Sequence, residues 1–397
     1  MVSQKRSRRT ALRLQFMRFC SSRFLAIVAL ASVSFAPGAT AQDLGPIQPL
    51  DLDNPLSIER LFTQLATRRV VFVGETHDRY DSHLNQLEVI RRLHQLDPNL
   101  AIGVEYFPRQ FQPQVDDYIA ERITEDQLLR AVDYYRTWGY DYRLYAPIFR
   151  FAREQRIPMR ALNVAASVVS AVAKVGIQGL SEQQRASLPK EIQPADEAYR
   201  ARLRAAFEEH KISRPDAFDH FVEAQLAWDE SMAASAAEYL EANQGRRMVI
   251  LAGSGHVEFG SGVPSRLERR IHATYAIVLN SGVNIEQRIA DYILLGNRQQ
   301  LPPAGVLGAQ LEEKGGECRI RSLDPAGAAE TAGLKAGDFL LDIDGEPVKT
   351  TADVRLALWK KNPGDRIMVS IRRGKPLKGT RKFEVELAAP SQGDVKR

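Results

Sequence analysis

The chain has 397 residues, of which 44% are hydrophobic and 26% charged, with a formal net charge of +5. That composition excludes wholesale disorder and allows two or three folded cores. Two cysteines, Cys20 and Cys318, exclude a disulfide framework, a cysteine-rich zinc site and haem attachment through a C-x-x-C-H motif.

The first 41 residues carry Lys5, Arg6, Arg8, Arg9, Arg13, Arg18 and Arg23 and no acid, then an apolar run over 24–36 and the triplet Ala39-Thr40-Ala41. This is the three-part pattern of a secretory signal peptide cleaved before Gln42, and the apolar run is too short to span a bilayer. No transmembrane segment is expected after cleavage. Ser7-Arg8-Arg9-Thr10-Ala11-Leu12 has a twin-arginine look, so both the general secretory and the twin-arginine routes stay open. Without this segment the chain carries 47 basic against 49 acidic residues, so the basic excess gives no reason to expect nucleic acid. Cys20 lacks a lipobox. The expected location is periplasmic or secreted, or associated with the envelope.

Residues 42–55, rich in Pro and Gly, read as a linker. A first domain follows over 56–285, in which short apolar runs at 70–73, 100–104, 158–162, 248–251 and 274–279 alternate with helical stretches. Runs apolar on both faces and separated by helices predict an α/β fold, a mostly parallel sheet with helices on both faces. Residues 164–245 between the third and fourth runs predict a helical insertion. Residues 286–302 read as a second linker, 303–389 as a small β-rich α+β domain with Gly and Asp turns, and 390–397 as a disordered tail.

The polar residues fall just beyond the carboxyl ends of the strands. The first run leads into Gly74-Glu75-Thr76-His77, the second into Glu105-Tyr106, the third into Asn163 and the fourth into Gly253-Ser254-Gly255-His256. Ligands bind outside such ends in an open parallel sheet. Glu75, His77, Glu105 and His256 therefore suit a divalent metal ion or a general acid/base set, against the plainer reading of each as a cap or a solvated loop residue. A helix over 218–240 carries Val222, Gln225, Asp229 and Met232 on one face, so that Asp229 and Gln225 would support a histidine or a ligand. Tyr134, Tyr135, Trp138, Tyr140, Tyr142 and Tyr145 crowd into twelve residues. Such a cluster fits a planar ligand such as a porphyrin, and also a carbohydrate or a partner surface.

Val73-Gly74-Glu75-Thr76-His77-Asp78, Gly103-Val104-Glu105-Tyr106-Phe107, Trp138-Gly139-Tyr140-Asp141-Tyr142, Ala161-Leu162-Asn163, Gln225-Leu226-Ala227-Trp228-Asp229 and Leu251-Ala252-Gly253-Ser254-Gly255-His256-Val257 together resemble the ChaN-like haem-binding uptake family of the Tiki superfamily. The resemblance implies haem binding, a part in iron or haem uptake, and a homodimer as a further expectation. It would put His77, Tyr142, Tyr145, Asn163, Asp229 and His256 at the cofactor. The wider superfamily includes metal-dependent proteases and esterase-like hydrolases, so a hydrolase using Glu75, His77, Glu105 and His256 as its catalytic or metal-binding set is the alternative. A third possibility is a binding scaffold serving only the second domain.

Gly305-Val306-Leu307-Gly308-Ala309, Ala332-Gly333-Leu334-Lys335-Ala336-Gly337-Asp338 and Leu341-Asp342-Ile343-Asp344-Gly345 resemble an HtrA-like PDZ domain. A PDZ domain takes a peptide or protein C-terminus by strand addition. Leu307, Gly308 and Ala309 would form its carboxylate loop, and Val354 and Leu358 would line the groove or belong to the core. No Gly-x-Ser-x-Gly motif precedes it, so the usual pairing of a PDZ domain with a serine protease is not supported.

Overall fold

In a computed structural model, residues 55–208, 215–296, 298–374 and 379–390 are described. The expected signal segment, most of the first linker and all but the first residue of the tail lie outside them. α1 (Ile58–Leu65), capped by the Ser57 hydroxyl, leads through β1 (Val70–Glu75) and α2 (Tyr80–Leu96) to β2 (Leu100–Pro108). Four helices, α3 (Gln112–Ile119), α4 (Glu125–Ala131), α5 (Tyr134–Thr137) and α6 (Ala146–Glu154), precede β3 (Met159–Asn163). The insertion holds α7 (Ala166–Val175), α8 (Glu182–Ala186), α9 (Glu197–Glu208) and α10 (Ala217–Ala242). β4 (Arg247–Gly253), α11 (Val263–Ile271), β5 (Tyr275–Asn280) and β6 (Tyr292–Leu294) complete the first domain. β6 falls within the stretch expected as a linker. It is three half-buried residues long, too short to show a period in sequence.

All six strands pair parallel in the order β3-β2-β4-β1-β5-β6. The chain runs outward from β1 through β2 to β3, then returns to lay β4 between β2 and β1. The direction of winding thus reverses beside β1, and the carboxyl ends there are where such a sheet places a ligand crevice.

Alternation along the strands sorts the core into two layers. Val71, Val73, Ile102, Val104, Val249 and Leu251 face a layer built with α1, α2 and α6. Val70, Phe72, Ala101, Met248, Ile250 and Ala252 face the other, built with α10 and α11. α10 is buried along most of its 26 residues because it lies against β3, α7 and α11, and its many alanines permit that close approach.

The second domain holds β7 (Ala309–Lys314), β8 (Glu317–Leu323), α12 (Ala328–Thr331), β9 (Phe339–Ile343), β10 (Glu346–Pro347), α13 (Thr351–Leu358), β11 (Arg366–Arg372) and β12 (Thr380–Glu386). Its antiparallel sheet runs β12-β11-β9-β8-β7, with β10 beside β9. Leu307 and Val354 belong to its core, whereas Ala309 and Leu358 are half-buried against it. Gly308 has φ +65°, and a Cβ there would sit 3.1 Å from the Gly327 Cα, so the loop before β7 requires glycine.

Phe72 is fully buried and meets Tyr275 edge-on at 5.8 Å. Phe72→Ala should cost about 3–5 kcal/mol, read as a lowered denaturation midpoint at unchanged slope; a loss under about 1 kcal/mol would contradict this account of the core.

Candidate functional site

Because Glu75 and Glu105 differ in position parity along the registered strands, they leave the sheet toward different layers. Val104 stands level with Leu251 and Leu251 with Val73, so Glu105 shares the level and face of Ala252 and Gly74, one residue short of Glu75. Each carboxylate then finds its own histidine.

Glu75 turns toward α2 and the aromatic segment and is 2% exposed. Its Oε1 lies 2.7 Å from Nδ1 of His77, and its Oε2 lies 3.1 Å from Nδ1 of His83. The Tyr106 hydroxyl donates to Oε2 at 3.1 Å, and the Tyr145 hydroxyl donates to the His77 carbonyl at 3.2 Å. Burial alone would raise the Glu75 pKa, but His83 and His77 outweigh it and hold the carboxyl well below its ordinary range. Burial opposes the charge on His83 as well, and Glu75 more than restores it. Trp138 and Tyr140 close over His77, with ring centroids 4.9 and 5.0 Å away.

Glu105 turns the other way. Its Oε2 accepts the Gly253 N–H at 2.7 Å, and its Oε1 lies 3.4 Å from Nε2 of His256. His256 Nδ1 is 2.7 Å from Asp229 on α10, and the other oxygen of Asp229 accepts from the Tyr199 hydroxyl on α9. Trp228 meets the imidazole edge-on at 5.8 Å. Nε2 is buried and makes no hydrogen bond. Burial works against protonation of His256, but Glu105 and Asp229 prevail and lift its pKa to about 9. The charged form of His256 is thus favoured at neutral pH, with Nε2 turned toward Glu105.

Of the residues singled out in sequence, Glu75, His77 and Tyr145 meet in the first group, and Glu105, Asp229 and His256 in the second. Asn163 joins strand ends, its side-chain amide donating to the Glu105 carbonyl at 3.1 Å. Gln225 is buried on the same helix as Asp229. Tyr142 is not brought to either group: its hydroxyl donates to Glu125 at 3.1 Å, and its ring packs on Trp359 of the second domain. Among the described residues no group of three or more His, Cys, Asp or Glu side chains is arranged to hold a metal ion.

His83, Gln86, Tyr106 and Tyr199 were not singled out. A signal for the first two exists: Ser82, His83, Gln86, Leu87 and Ile90 form one buried stripe of α2, and polar residues inside an apolar stripe mark a buried network. Tyr199 heads a row with Leu203 and Phe207, four and eight residues on, along an otherwise charged helix, which marks a packed face though not its polar partner.

Residues 61–267 match the family described as haem-binding uptake, Tiki superfamily, ChaN, and residues 305–387 match the PDZ domain family. The structure of ChaN of Campylobacter jejuni, described as showing cofacial haem binding, is similar at TM-score 0.50 and 18% identity, over 60% of this chain and 91% of that one. An HtrA-type protease, AlgW with a decapeptide, is similar over 22% of this chain and 30% of that one at 19% identity, with TM-score 0.20. The chloroplastic protein RETICULATA-RELATED 5 of Arabidopsis thaliana is 24% identical over 243 residues, 55% of this chain. The chain spans about a third, 32%, of that protein's length.

Since the His256 pKa rises from the ordinary 6.5 to about 9, its ion pairs stabilise the fold fully below pH 6.5, and that stability is lost as pH climbs through 9. The stability difference between the wild type and His256→Gln should shrink by on the order of 2–3 kcal/mol between pH 6.5 and 10 in urea titrations. A difference that stays flat over this range would rule out a charged His256.

Proposed function

Because this chain belongs to the ChaN family of haem-binding uptake proteins in the Tiki superfamily, we propose that it is an exported haem-binding protein of iron or haem uptake whose PDZ domain captures a partner's C-terminus. The observation that carries the haem reading is the exposure pattern of the aromatic segment. Tyr106, Tyr142 and Tyr145 are buried. Tyr140 is half-buried, stacked obliquely on His77 beside Trp138, and next to the exposed Asp78 loop. It is the tyrosine of this face best placed to reach a ligand from outside.

The residues present fit the group. Tyr140 offers a phenolic oxygen and, with Trp138 packed beside it, a flat apolar surface. Burial, with Glu105, Asp78 and Glu75 nearby, pushes the Tyr140 pKa upward, so the bare phenol stays protonated. Ferric iron, when bound, supplies the positive charge that makes a phenolate oxygen a ligand. The role of the chain is to hold that ring in place through His77 and Trp138.

The alternative reading, a metal-dependent hydrolase on Glu75, His77, Glu105 and His256, has less support. Each carboxylate is already paired with its own histidine, and a histidine whose pKa is raised to about 9 already carries its proton at neutral pH and is not free to act as a general base. No helix among the described residues is long and apolar enough to cross a membrane.

Haemin added to the purified protein should give a saturable visible spectrum of tyrosinate type. Tyr140→Phe should weaken binding at least tenfold and remove that signature, while Tyr142→Phe should leave it. The absence of any saturable shift, together with a stoichiometric divalent ion that is lost in His77→Ala, would favour the hydrolase instead. If residues 1–41 direct export, the mature protein recovered from the periplasm or medium should begin at Gln42.

A further inference from the structure

One wall of the PDZ groove, α13, packs on the aromatic segment that closes over the Glu75–His77 site. β7 is the outer strand of its sheet, paired on one side with β8, and its other side faces α13. A peptide joins a PDZ domain along that free edge. Near the far end of β7, Glu313 spans the gap. Its Oε1 accepts from the backbone N–H and the hydroxyl of Thr351, the first residue of α13, both at 3.2 Å. Its Oε2 accepts from Arg136 of α5 at 3.0 Å. One carboxylate therefore ties together the edge strand, the groove helix and the first domain.

The far face of α13 is committed to the first domain. Arg355 lies over the Tyr135 ring at 4.4 Å, and Leu356 packs against the first domain's core. Just beyond the helix, Trp359 is 5% exposed, meets Tyr142 edge-on at 5.1 Å and donates from its indole to Asp126 at 2.9 Å. Arg130 adds a bond to Glu346, and Arg143 one to the Pro302 carbonyl. The partners of α13 belong to the segment whose other side chains, Trp138, Tyr140 and Tyr145, close over His77 and Glu75. A strand entering between β7 and α13 meets the Glu313 bridge, and α13 cannot give way without moving Tyr135 and Tyr142.

We infer that Glu313 is a latch: an empty groove holds the aromatic segment on His77, and a C-terminal peptide that enters the groove displaces Glu313, releases Arg136 and loosens that segment. The inference rests on the reading of the second domain as a peptide binder. It adds that occupancy of the groove lowers the affinity of the first site for its ligand, and by linkage the ligand lowers that for peptide. The Arg136–Glu313 pair is exposed and by itself weak. Its leverage comes from the buried Trp359 contact, which makes α13 part of the wall.

Amide hydrogen exchange on the full chain tests this with neither haem nor peptide present. Glu313→Ala, and Glu313→Gln in parallel should the first variant fold poorly, are compared with the wild type. The expected result is exchange about threefold to tenfold faster in α13, in residues 134–145 and around His77, with β11 and β12 unchanged. Faster exchange confined to β7 and α13, or none in either variant, would overturn the latch. A failed haemin titration would count against the haem reading alone and leave this exchange pattern as it is.

Discussion

The structure turns on two carboxylates buried at the carboxyl end of a parallel sheet. A buried charge without compensation costs many kcal/mol, so each must be surrounded by donors and opposite charge. Glu75 takes two histidines and a tyrosine; Glu105 takes a backbone N–H and an imidazolium whose second nitrogen is held by Asp229. Much of the local architecture follows from that demand. α2 supplies His83 and Gln86, the aromatic segment supplies Tyr145, and the long α10 is brought against the sheet with Asp229 at the right height. The helical insertion serves the same end, because α9 brings Tyr199 to the far side of Asp229.

The strands were legible because parallel strands covered on both faces are continuous apolar runs bounded by glycine and charge, and the site was legible as polar residues stopping those runs. What sequence position could not convey was parity. Glu75 stands two steps beyond its apolar run and Glu105 one step beyond its own, and only the strand register turns that offset into opposite pleat positions and opposite layers. A single four-residue crevice was the natural expectation, and two carboxylate–histidine groups are what the pleat produces. Tyr142 shows the same limit from the other direction: its neighbours in sequence line the site, but the turn at Asp141 and Tyr142 points its ring at a domain whose position no local pattern encodes. Tyr199 heads the short apolar row Tyr199, Leu203 and Phe207 of α9, which marks a packed face but not the reach of its hydroxyl to Asp229.

The second domain was legible through its glycine turns, and its motif residues divided as core and groove. Leu307 and Val354 went to the core while Leu358 stayed half-buried. The contact between domains left no trace in sequence. Trp359 follows a short amphipathic helix and would pass for part of the small domain's own core, yet it packs with Tyr142 and Asp126.

The burial of Trp359 also bears on how the chain can be taken apart. In a modular protein the connecting segment can be cut and each half keeps its surface. Here the first domain's apolar interior continues through Tyr142 into Trp359, with Leu301 of the connecting segment alongside. A fragment ending before the second domain would present Tyr142 and Tyr135 to water as a newly bared patch and leave the Asp126 carboxylate without the Trp359 indole, inviting self-association. Grafting a different PDZ domain onto this first domain would meet the same obstacle, since a replacement fits only if it carries an aromatic side chain just past its groove helix.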